Sequence, residues 1–104
     1  MPKQKLSYAD LLEIDKHCNA CIEYLSNTGV SGENLHLNKC LALVFFGIKV
    51  KVAGKLAGVV PGKGCSLKLT DIQMQAIYHV RNERHVSSAE TDNGIVRLLT
   101  LNTK

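Results

Sequence analysis

Four times in this 104-residue chain a hydroxyl stands three residues ahead of an acid or amide: Ser7 with Asp10, Ser31 with Asn34, Thr70 with Gln73, and Ser87 with Glu90. Each pairing suits a helix start. The hydroxyl accepts from an orphan amide of the first turn while the later side chain reaches back to the cap. Four such starts in so short a chain predict an all-α fold: a compact four-helix domain with a central apolar helix, residues 1–104 forming a single globular unit.

The apolar spacing supports this. From Ser7 to Asn27, the residues Leu11, Ile14, Cys18, Cys21, Ile22 and Leu25 recur at three and four, so they lie along one helical stripe that Thr28-Gly29 ends. A second helical pattern runs through Leu37, Leu41, Val44, Ile48, Val52, Leu56 and Val59. Here Leu43, Phe45, Phe46 and Val50 add apolar surface on other faces, as expected of a helix packed on several sides. Gly47, Gly54 and Gly58 predict a close helix crossing in this segment. A third helix, Asp71 to about Arg84, carries Leu69, Ile72, Ala76 and Val80 on one stripe. A fourth, after Ser87, would bury Ile95, Leu98 and Leu99.

An α+β alternative competes. Ile48-Lys49-Val50-Lys51-Val52 and Cys65-Ser66-Leu67-Lys68-Leu69 both alternate, and they would pair as an antiparallel hairpin near residues 48–69 around Pro61-Gly62-Lys63-Gly64. Asp92-Asn93-Gly94 is a strong turn signal that would make Ile95 to Leu101 a strand, placing a hairpin near residues 85–101.

With 45% apolar residues the chain can bury one ordinary core, and with no Trp that core rests on Leu, Val, Ile and Cys. Its longest uncharged apolar stretch, Cys40 to Ile48, falls far short of the roughly 20 residues that span a bilayer. Met1-Pro2-Lys3-Gln4-Lys5 leads into a polar segment and does not read as a secretory signal. The expectation is a cytoplasmic protein with no membrane partner and four reduced thiols.

Charge divides the chain. Residues 1–48 hold four lysines against five acids, net −1, whereas residues 49–104 hold nine lysines and arginines against four acids, net +5. Lys49, Lys51, Lys55, Lys63 and Lys68 follow one another with no acid before Asp71, and Arg81 and Arg84 come soon after. These seven residues are the candidate binding set for nucleic acid or an acidic protein surface. A helix would place Lys51 and Lys55 together and Lys49 well away from them, while a strand would put Lys49 and Lys51 on one face.

Motifs for chemistry are weak. Cys18-x2-Cys21 with His36-x3-Cys40 has the internal spacings of a zinc site, but Cys18 and Cys21 belong to the first apolar stripe and suit a core role. Gly58 to Gly64 misses the Walker A pattern, with three residues between glycines where four are needed and no hydroxyl after Lys63. Cys65 would need His79 or His85 as a base, and no spacing indicates it. Gly-x-Ser-x-Gly and His-Glu-x-x-His are both missing. The sequence therefore predicts no catalytic residue, no metal and no cofactor.

Two binding functions follow. In one, a small regulatory protein lays its lysine-rich C-terminal half on nucleic acid or a nucleic-acid-associated complex. In the other, an inhibitor or adaptor of mobile-element type docks on a larger protein partner, using the apolar surplus around Leu43, Phe45 and Phe46. That same surplus would also drive self-association into a homo-oligomer.

Overall fold

Ser7 and Asp10 cap the first helix as their spacing requires. In the computed structural model, which describes residues 5–27, 33–58, 64–83, 86 and 89–103, the Ser7 amide donates to Asp10 Oδ2 at 2.9 Å and the Asp10 amide donates to Ser7 Oγ at 3.1 Å. Thr70 and Gln73 form a second reciprocal box: the Gln73 amide donates to Thr70 Oγ1 at 3.2 Å and the Thr70 amide to Gln73 Oε1 at 3.0 Å. Ser31 and Ser87 lie outside the described residues.

Among the described residues four helices result: α1 (Tyr8–Asn27), α2 (Glu33–Gly58), α3 (Asp71–Asn82) and α4 (Ala89–Asn102). The chain is all-α, and neither alternative hairpin forms among the described residues. Residues 48–52 are helical within α2 and residues 95–101 within α4. The reason for the first lies in burial. A strand would put Ile48, Val50 and Val52 on one face, whereas here Ile48 and Val52 are buried with Phe45 and Val50 points out.

Cys65 to Leu69 keeps the alternation read from its sequence but not the predicted partner. Leu67 and Leu69 are buried while Ser66 and Lys68 are exposed. This extended strap meets Leu6 in an isolated antiparallel bridge, Leu6 N–H donating to the Cys65 carbonyl at 2.8 Å and Cys65 N–H to the Leu6 carbonyl at 2.9 Å. Asn102 then clamps the strap to α4. Its Oδ1 accepts from the Leu69 amide at 2.8 Å, and its Nδ2 donates to the Leu67 carbonyl at 2.9 Å.

The core holds the expected stripes of α1 (Leu11, Ile14, Cys18, Cys21, Leu25) and α4 (Ile95, Leu98, Leu99). On α3, Ala76, Ile77 and Val80 are buried, but Ile72 faces out and Gln73 turns in. The hub is α1, which packs against both α2 and α4, while α2 also touches α3.

The tight crossing is not where the α2 glycines predict it. A Cβ at Gly54 or Gly58 would meet nothing within 4 Å, and at Gly47 it would make only ordinary contact with Gln73. Close approach occurs instead at Gly94. A Cβ there would stand 2.8 Å from the Asp10 carbonyl oxygen and 2.9 Å from Glu13 Cβ, so α1 and α4 meet at this point only because the side chain is missing. Glu13 Oε1 accepts from the Gly94 amide at 3.1 Å, and Arg97 Nη1 donates to Asp10 Oδ2 at 2.8 Å. Tertiary packing has taken a turn signal into a helix.

Candidate functional site

Helical geometry sorts the seven sequence-marked cations. Steps of about 100° per residue place Lys51 and Lys55 on adjacent lines of α2 and turn Lys49 about 160° away from Lys51. Lys49 accordingly reaches back to α1, where its Nζ donates to Asn19 Oδ1 at 2.6 Å and stands 3.9 Å from Asp15. Arg81 pairs with Asp92 of α4 at 2.7 Å. Lys63 and Arg84 lie outside the described residues.

The remaining three meet. Lys51, Lys55 and, from the strap opposite, Lys68 line an open groove of about 690 Å³ whose apolar lining includes Val50, Leu67 and Leu69. None of the described residues lining it is acidic. Lys51 is structural within this group, because its Nζ donates to the Lys68 carbonyl at 3.0 Å and to Gln73 Oε1 at 2.8 Å, tying the strap and the α3 cap to α2. Lys55 and Lys68 are exposed, and among the described residues neither makes an ion pair. Their ammonium groups are available to a ligand.

Next to the groove, α2 turns an apolar face outward. Leu43 is 71%, Phe46 51% and Val50 70% exposed, and Leu35 continues the row toward the start of the helix. The spacing of 43, 46 and 50 keeps these side chains on one side. Leu35, Leu43 and Phe46 also border a second cleft of about 410 Å³ against Leu25 of α1. Val50 belongs both to this face and to the lysine-rimmed groove.

The thiols lie elsewhere. Cys18 and Cys21 are buried, and burial pushes each thiol up to about 12, so both remain protonated. His17, also buried, has its Nε2 at 3.4 Å from Cys21 Sγ and its ring edge-on to Phe45. Burial, aided by the nearby Arg81 guanidinium and opposed by Asp92, brings its pKa down to about 4. His36 and Cys40 are exposed on α2, and among the described residues no three His, Cys, Asp or Glu side chains converge on a point. The other shifted acid is Asp10. Burial works to raise its pKa, but the Ser7 amide and the Arg97 guanidinium outweigh that and hold it below the usual carboxylate value.

The sequence marked the lysines but not the groove. Val50 read as surplus packing surface, and Leu67, Leu69 and Thr70 carried no functional signal. The one available clue was the alternation at 65–69, which sets Lys68 outward between two buried leucines. No described helix is long and apolar enough to cross a membrane. Comparison with known proteins finds no matching family model, no matching curated protein and no matching solved structure.

Proposed function

We propose that this protein is a non-enzymatic binding module, an adaptor or inhibitor that docks on a larger protein through the outward face of α2. The observation that carries this reading is the row Leu43, Phe46 and Val50, more than half exposed on a helix whose opposite side is sealed in the core. Burying such a row against a partner gains roughly 25 cal/mol for each Å² of apolar surface removed from water. Contact with nucleic acid draws on the same lysines, but Lys49, Lys51 and Arg81 are each engaged with partners within the chain. A mostly aliphatic surface, on which Phe46 and the His36 imidazole are the exposed rings among the described residues of α2, also provides a poor platform for stacked bases.

Site-specific photo-crosslinking tests the reading. A photoreactive residue replacing Phe46, in the cells that express the protein, should give a discrete protein adduct that Leu43→Glu removes. Adducts to nucleic acid, or no adduct at all, overturn it. An adduct of twice the chain's mass identifies a second copy as the partner.

A further inference from the structure

We infer that the groove between α2 and the 64–69 strap receives an acidic, amphipathic segment of the partner protein, whose apolar side chains lie over the exposed Val50 beside the strap's buried Leu67 and Leu69, while its carboxylates meet Lys55 and Lys68. This deepens the docking reading above and rests on it. Three observations lead to it.

The first is charge complementarity. Two exposed ammonium groups without ion-pair partners among the described residues border a cavity with no acidic lining residue. An anion arriving there meets uncompensated positive charge on both walls, one from the helix and one from the strap. Such an arrangement selects acidic partners and speeds their encounter.

The second is the apolar lining. A site for free phosphates needs solvated cations and little else, whereas this groove places Val50, 70% exposed, beside the lysines. Desolvating it is favourable only if the occupant brings apolar side chains of its own. No Phe, Tyr or His lines the groove for a base to stack on. The chemistry therefore selects a protein segment carrying both acids and aliphatic groups.

The third is continuity. Val50 is shared by the groove and the outward row, so one partner segment lying along α2 covers Leu43, Phe46 and Val50 and then enters between Lys55 and Lys68. The walls are held in place for this. Lys51 ties the strap to α2, and Asn102 ties it to α4.

The test is a titration of the isotopically labelled full chain, followed by amide resonances, with three probes. One is a synthetic peptide with leucines at helical spacing and glutamates elsewhere; the second is the same peptide with lysine for each glutamate; the third is a mixed-sequence single-stranded DNA. The acidic peptide should shift Val50, Gly54, Leu67 and Leu69 saturably, and Lys55→Glu with Lys68→Glu should weaken it by about tenfold. Both positions are exposed and make no ion pair among the described residues, so thermal unfolding should move by no more than the small cost of an acid in the last turn of α2, and Lys55→Gln with Lys68→Gln provides a milder pair with a smaller loss. Unmoved groove amides, an equal response to the lysine peptide, or DNA shifting those amides in place of the peptide would each overturn the assignment. If the groove stays silent while position 46 still crosslinks to a protein, the groove assignment falls and the docking reading stands.

Discussion

The two faces of α2 are built from the same kinds of residue and meet opposite fates. Phe45, Ile48 and Val52 have no exposed surface, while Leu43, Phe46 and Val50, each one or two residues away, stand largely in solvent. Phe45 and Phe46 are chain neighbours, and one is fully buried while the other is 51% exposed. Apolar side chains surround this helix, so its composition alone does not select the inward side. The choice is made by packing on α1, whose single buried stripe is shared between α2 and α4 and so leaves room for only one face of α2.

The largest expected effect breaks the inner face. Phe45→Ala leaves a cavity against His17 and should cost about 3–5 kcal/mol in urea unfolding. A loss below about 1 kcal/mol would mean that the inner face is as loosely covered as the outer one.

Acid should come next. His17 packs edge-on to Phe45 and stays neutral in the fold, with a pKa near 4 against an ordinary value of 6.5. Above pH 6.5 it is neutral in both states and has no effect. As pH falls from 6.5 toward 4 the unfolded chain takes up a proton that the folded chain refuses, so stability should drop by on the order of 3 kcal/mol over that window. Unfolding free energies measured from pH 7.5 to 4 check this, and His17→Gln should flatten the slope.

Gly94→Ala probes the other packed seam. The new methyl runs into the Asp10 carbonyl and Glu13, so despite its better helix propensity it should destabilise by about 1–3 kcal/mol. Gly54→Ala makes the same chemical change where nothing lies within 4 Å, and it should stabilise by about 0.5–1 kcal/mol. Opposite signs in thermal melts would separate the close crossing from the open side.

The smallest effect sharpens the contrast most. Phe46→Ser should cost no more than about 1 kcal/mol, far less than Phe45→Ala, because about half of the ring already lies in water. It should nonetheless remove partner binding. A large loss of stability would place this ring in the core and dissolve the difference between the faces.

Much of the architecture was legible because it is written in short-range rules. The Ser7–Asp10 and Thr70–Gln73 boxes and the α1 stripe depend on residues three or four apart, and they form as read. Apart from Ile72, which the α3 periodicity put on the inner stripe and which faces out, what failed were readings that needed a distant partner. The Asp92-Asn93-Gly94 turn became helix because its glycine is needed against Asp10, and the strap's alternation found Leu6 rather than a hairpin strand. The candidate site shows the same divide. The grouping of Lys51 with Lys55 followed from helical spacing, but Lys68 joined them through hydrogen bonds across 17 and 22 residues that hold the strap and the α3 cap against α2.

The sequence by itself thus determined α1 and α3, their starts at Ser7 and Thr70, and the positive balance of the second half, since propensity, capping and charge are local properties of the chain. Only the tertiary structure decided which side of α2 is sealed, which lysines keep their charge free, and where two helices touch. Those outcomes depend on which surface reaches a common partner first in space, and residue order does not encode that distance directly.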